Sequence, residues 1–368
     1  MGIKKLHSAW WKRWEWTRLH QLLHDNHGVR YFVAAVAIIL ATGLGVIGWI
    51  WQQPEPQMPE TFAVKTAKPP AEKFYSPLTG LEVVDKAATD RQVTAVMIEN
   101  SPDARPQSGL KDAGIVYEAI AEGGITRFIA LYQESRPSLI GPVRSVRPYF
   151  VEWASAYDPA VAHIGGSARA LQMIRSGNYG VDIDQFFNAG AYWRATDRYA
   201  PHNVYTNFDN LDALTSSKGK TSSAFTAIPR KDGQPSKAPT ATVIHLPISS
   251  VNYNIDYNYD SASNSYVRSL GGEPHLDREA GQIQPKVVIA ISVNMSREME
   301  DGYREQITTT GTGNAYIFQD GVIAEATWRR VDDKSQIEFL DASGKPISLN
   351  RGQTWITALP SSRTPSWQ

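Results

Sequence analysis

Residues 93–133, VTAVMIENSPDARPQSGLKDAGIVYEAIAEGGITRFIALYQ, decide the fold. Three runs inside this stretch, 93–98, 115–119 and 128–133, are apolar, too short for helices, and separated by Pro, Gly, Asp and Ser. Each reads as a buried strand. Just beyond, 139–141 leads into Pro142, and 144–157 has helical spacing through Val151, Trp153, Ala154 and Tyr157. A short strand at 160–164 runs into Gly165-Gly166-Ser167, and a helix over 168–174 stops at Gly177. Strands with intervening helices predict a mixed α/β core. Further on, the chain is strand-rich, at 241–246, 287–293, 314–318, 322–327 and 336–340, with Asp320-Gly321 and Ser343-Gly344 as hairpin-turn signals. The predicted class is α/β (α+β), with a second part that is mainly β.

Composition breaks divide the chain. Residues 229–240, PRKDGQPSKAPT, are a linker between an α/β domain at 75–228 and a mainly-β domain at 241–360, with 361–368 as a tail. Upstream, residues 52–74 are rich in proline and charge without apolar period and read as a disordered tether. Residues 31–51, YFVAAVAIILATGLGVIGWIW, form an uncharged run of 21 residues, about enough to span a bilayer core. Six basic residues (Lys4, Lys5, Lys12, Arg13, Arg18, Arg30) and two acidic ones precede it, whereas Lys65 is the sole basic residue among the next 15. That asymmetry predicts a single-pass protein with a cytoplasmic N-terminus and extracytoplasmic domains. A cleaved signal peptide is the alternative, but its apolar region runs about 7–15 residues. The arm at 1–30 carries four tryptophans among its basic residues and reads either as a helix at the inner headgroup layer or as a topology signal. The G-x-G-x-x-G at 43–48 lies inside the span and is no dinucleotide site.

The chain has 37 basic and 37 acidic residues and no cysteine. Setting the arm aside leaves 31 basic and 35 acidic, a formal −4, which argues against nucleic-acid binding. Disulfides and cysteine-ligated metals are excluded, so a packed core must hold the outer part together.

Three constellations carry possible chemistry. In the first, Asn100, Arg105, Glu118, Glu122 and Arg127 follow or end strands near Gly123-Gly124. Glu118 and Glu122 are either an acid/base pair of the kind glycoside hydrolysis requires or salt-bridge partners of Arg105 and Arg127. In the second, Arg144 and Arg147 stand three apart, and on a helix both forks would share a face suited to a carboxylate or phosphate. Pro148 puts that shared face in question, and pairing with Glu118, Glu122 or Asp158 is the alternative. In the third, His163, Gly165, Gly166 and Ser167, with His202 further on, place a Gly-Gly turn at a helix start, where backbone N–H groups bind anions. Ser167 is a nucleophile with His163 or His202 as base, or simply an N-cap. No H-E-x-x-H spacing is present, and neither metal nor cofactor is expected.

The runs VMIENSPDARPQSGLKDAGIVYEAIAEGGITRFIALYQ, IGPVRSVRPYF, AHIGGSARAL and APHNVYT closely resemble the YerB-like family of bacterial envelope proteins, a domain of unknown function. YDSASNSYVRSLGGEPHLD, GTGNAYIFQDGVIAEATWRR and FLDASGKPISLNRGQTWITALP extend the resemblance collinearly over roughly residues 75–360. It implies a three-layer β/β/α sandwich-like main domain followed by a smaller C-terminal domain, and brings no established catalytic set. Many relatives carry a lipoprotein cysteine, which this chain replaces with a membrane helix. Two functions are therefore expected as alternatives. One is a noncatalytic, membrane-anchored envelope factor whose partner is a cell-wall polymer or a membrane-embedded envelope protein. The other is a hydrolase acting on peptidoglycan or a related polymer.

Overall fold

The computed structural model describes residues 24, 26–54, 72–297 and 304–368, which fall into two units dividing at Pro70. In the first unit, helix α1 (His27–Trp51) starts four residues before the apolar run and ends with it. It is long and apolar enough to cross a membrane. The arm helix and most of the tether lie outside the described residues.

The second unit is built on one ten-stranded sheet. Its first strands are β1 (Thr94–Glu99), β2 (Ile115–Glu122) and β3 (Ile125–Tyr132), close to the three predicted runs. Helix α2 (Pro148–Ser155) follows, then β4 (Ala160–His163), α3 (Ala168–Arg175), β5 (Val181–Asp184) and α4 (Phe208–Ser217). Three strands, β6 (Val243–Leu246), β7 (Ile255–Asp260) and β8 (Ser265–Leu270), leave the main sheet and, with two-residue strands at Glu273–Pro274 and Ser366–Trp367 on either side, form a smaller five-stranded antiparallel one. The chain then returns through β9 (Val287–Val293), β10 (Gly311–Gln319), β11 (Val322–Arg330), β12 (Glu338–Leu340) and β13 (Thr354–Pro360).

The order across the main sheet is β12-β11-β10-β9-β13-β2-β3-β1-β4-β5. The halves on either side of 229–240 therefore share one sheet, joined where β13 runs parallel to β2 on one side and to β9 on the other. The sequence reading separated them because a pairing between residues 115 and 354 leaves no local trace. The β10–β11 hairpin turns at Asp320 and Gly321, both at positive φ, as their sequence predicted.

Successive residues of the central strands go to opposite faces, and both faces are covered, so the strands read as unbroken apolar runs. On one face Met97, Tyr117, Ile129, Ile289 and Ile356 pack under α2 and α3, around Phe150 and Trp153. The opposite face has two patches. Val96, Val116, Phe128 and Ala130 meet Phe208 and Leu211 of α4, while Val288, Ala290, Phe318 and Leu359 meet Ile244, Ile255 and Tyr257 of the smaller sheet. The layers are thus helices, main sheet, and small sheet with α4.

Candidate functional site

Strands β1, β2, β4 and β5 run in one direction, since β4 is parallel to β1 and β5, and both β1 and β2 are antiparallel to β3. Their carboxyl ends, Glu99, Glu122, His163 and Asp184, lie along one edge of the sheet. In open α/β sheets that edge is where ligands bind. Three polar clusters sit there.

The first is sealed. Glu118 and Arg268 are both 0 % exposed and pair at 2.7 Å. Thr126 Oγ1 donates to Glu118 at 2.9 Å, and Asn100 donates to Thr126 at 2.7 Å. The Asn100 carbonyl accepts from Arg105 at 3.2 Å and from Gln107 at 2.9 Å. His275 completes the circuit, accepting from Arg268 Nε at 2.8 Å and facing Gln107 at 3.1 Å. Burial and the nearby Arg268 and Arg105 keep His275 well below the usual imidazole range. Burial pushes the Glu118 carboxyl up while Arg268 pulls it down, and the net direction is upward. With no exposure, Glu118 has no path to a polymer. The partner predicted for it, Arg105, bonds Asn100 instead. Gln107 lies in the same polar stretch as Asn100 and Arg105, whereas Arg268 and His275 sit in no local motif with Glu118.

The second cluster is Glu122 between two arginines. Its Oε1 accepts from Arg127 Nη2 at 2.6 Å and its Oε2 from Arg147 Nη2 at 2.7 Å. Arg127 Nη1 also donates to the Ser145 carbonyl, and Arg147 Nη1 to that of Val146. Internal pairing holds for both. The shared helical face of Arg144 and Arg147 does not form, because Pro148 takes the first position of α2 and leaves Arg147 as an extended N-cap. Burial opposes the Glu122 charge, yet Arg127 and Arg147 prevail and hold its carboxyl below the usual range. A carboxyl lowered in the fold contributes stability that is complete above its unfolded value and is lost as pH falls through the folded one. Urea midpoints should therefore show Glu122→Gln less stable than the native chain at about pH 7, with the gap closing at about pH 3. A gap independent of pH would mean that the carboxylate is not what stabilises the pair of arginines.

The Gly-Gly turn is also spoken for. Gly165 N–H donates to Asp184 Oδ1 at 3.1 Å and Ser167 N–H to the Val146 carbonyl at 3.3 Å. Gly166 lies so close to Val146 that an added Cβ would sit 2.8 Å from its side chain. Ser167 is the buried N-cap of α3, with Oγ accepting from Ala170 N–H. His163 is fully buried, with Nε2 at 3.0 Å from Asp182 and Nδ1 at 2.8 Å from the Gly165 carbonyl. The turn therefore offers no free anion nest through these amides, and Ser167 and His163 are not in contact as nucleophile and base.

The third cluster opens to solvent. Arg144 approaches buried Glu99 with Nε at 3.3 Å from Oε1, and among the described residues the Arg144 fork makes no hydrogen bond. Ser101 donates to Glu99 Oε1 at 3.1 Å, and His202 Nδ1 lies 3.0 Å from Glu99 Oε2 and 3.2 Å from Ser101 Oγ. Both contacts fall on one ring nitrogen, so this is not a nucleophile-base-acid relay, which needs both nitrogens. Arg144 and His202 are the predicted ligand residues that remain partly accessible here. Glu99, which ends the apolar run of β1, is the residue that joins them. Among the described residues no group of three or more His, Asp or Glu is arranged to hold a metal.

Residues 78–221 match the family model described as the N-terminal domain of a protein of unknown function, DUF3048, and residues 244–356 match its C-terminal domain. A Bacillus subtilis (strain 168) protein, YerB, whose name marks it as a candidate lipoprotein, is 34% identical over 296 residues, covering 79% of this chain and 87% of that one. The crystal structure of Bacillus subtilis YerB matches with a TM-score of 0.73 at 32% identity, over 80% of this chain and all of that one.

Proposed function

This chain belongs to the DUF3048, YerB-like family, and on that premise we propose that it is a membrane-anchored, extracytoplasmic protein that binds a cell-envelope component without transforming it. Helix α1 is the single-pass anchor, with the N-terminus in the cytoplasm and the folded unit outside. The ligand is held at the carboxyl edge of the sheet, in the cleft of Glu99, Arg144, Ser101 and His202. One observation carries this reading: the Arg144 fork is partly exposed and free of hydrogen bonds among the described residues, whereas Arg127, Arg147 and Arg268 are committed internally. A guanidinium so placed is a bidentate receptor for a carboxylate or a comparable group. The hydrolase alternative gains nothing from Glu118, Glu122, Ser167 or His163, each of which is buried or tied into the fold.

The full chain in nonionic detergent should pellet with isolated wall sacculi in a saturable manner that weakens with added salt, and should release no soluble fragments from them. Release of fragments would restore the hydrolase reading. Failure to pellet at low salt would move the partner from the wall to a protein of the membrane.

A further inference from the structure

Outside helix α1, the exposed aromatic side chains among the described residues are concentrated in one segment. Phe186 is 67% exposed, Phe187 74%, Trp193 37% and Tyr199 92%, and the one exposed elsewhere is Tyr75. Exposed apolar clusters with a polar rim mark binding surfaces. This cluster is joined to the cleft described above. The Phe186 ring covers Gly165, where an added Cβ would lie 3.0 Å from it. Gly165 in turn accepts from Val146, and Ile164 donates to the Arg144 carbonyl. The Tyr199 carbonyl accepts from His202 N–H at 2.9 Å. The strand carrying Trp193 pairs with that of Val204, whose carbonyl accepts from Val143, next to Arg144. The backbone that carries Phe186, Trp193 and Tyr199 is thus hydrogen-bonded, directly or through one further strand, to the backbone that carries Arg144 and His202.

Resting on the binding role proposed above, we infer that the ligand is a carboxylate-bearing glycan, an amino-sugar polymer of the muramic type. Sugar rings present flat C–H faces that stack on aromatic rings and an edge of hydroxyl and amide groups that both donate and accept. The site supplies the match to that edge: the Arg144 fork donates, and the exposed Asp103 carboxylate beside His202 accepts. Glu99 lies behind them, buried, with its Oε2 3.0 Å from His202 Nδ1, and holds the imidazole in place. Glu99 and the exposed Asp103 beside His202 disfavour a polyphosphate, whose charges are dense, but tolerate one carboxylate per disaccharide, which Arg144 can take bidentately.

The test uses the full chain in nonionic detergent, with peptide-free wall glycan strands and chitin oligosaccharides of equal length, which lack the carboxylate, as probes. Binding is read from tryptophan fluorescence. The strands should bind about tenfold more tightly than the chitin oligosaccharides, and the double variant Phe186→Ala, Tyr199→Ala should bind the strands about tenfold more weakly at an unchanged urea midpoint. Equal binding of both probes, native-like binding by the double variant, or no binding of the strands overturns the inference. If the native chain pellets with sacculi through Arg144 but does not bind the strands, the binding role survives and the glycan assignment fails. If it pellets with no sacculi, the wall-binding role itself fails.

Discussion

Arg268→Ala is expected to destabilise the folded unit by about 3–5 kcal/mol, the loss seen when one member of a buried ion pair is removed and the other is left uncompensated. The reasons are specific to this network. Arg268 holds the Glu118 carboxylate at 2.7 Å, donates from Nε to His275 at 2.8 Å, hydrogen-bonds the Tyr257 hydroxyl, and lies over the Trp355 ring at 4.2 Å. Its loss leaves the buried Glu118 charge without its counter-ion and His275 without its donor, with Thr126 and Gln107 as their remaining partners. The double variant Glu118→Gln, Arg268→Met removes both charges together and should recover at least half of the loss, because the desolvation cost of a lone charge disappears. Urea unfolding of the single and double variants measures both numbers. A single-variant loss below about 1 kcal/mol would mean that the pair is hydrated, as surface bridges are.

Ending the chain at residue 353 is expected to abolish cooperative folding altogether. The lost strand β13 lies between β9 and β2, so its removal opens two sheet edges in the middle of the molecule. Trp355, Ile356 and Leu359 are all buried, on both faces. Together their burial is worth on the order of 6–11 kcal/mol, comparable with the whole stability of about 5–15 kcal/mol that a domain has. For the same reason residues 72–240 alone should not form a stable domain. Circular dichroism with urea titration decides it: a truncated chain with a sharp transition would show that the two halves fold separately after all.

What was legible in the sequence follows physical locality. Strands β1, β2 and β3 were read close to their limits because burial on both faces writes a continuous apolar run. The Asp320-Gly321 turn was read because its backbone demands those residue types. Strand β13 was not placed by pattern, since TWITALP mixes threonines into buried positions and its partners lie far away in sequence. The small sheet was missed in part because β7 and β8, IDYNYD and SYVRSL, are polar and tyrosine-rich, with one half-exposed face. Helix α4 does carry a local signal: Asn207 caps it, and Phe208, Leu211 and Thr215 repeat at helical spacing. At the site, the residues were legible and their roles were not. Arg144 and Arg147 suggested one face, but Pro148 starts the helix after both. Ser167 resembled a nucleophile and is a cap. Glu118 was noticed, while Arg268, 150 residues away, was beyond the reach of any local pattern.

The most direct measurement is the binding isotherm of Arg144→Ala on isolated sacculi, beside the native chain and across a salt series. Arg144 is ion-paired with buried Glu99, so its urea midpoint should fall somewhat, while in the still-folded chain loss of a charged hydrogen-bonding fork should weaken binding by about 10- to 100-fold and flatten the salt dependence. Native affinity and native salt dependence in Arg144→Ala would contradict a ligand site at the carboxyl edge of the sheet.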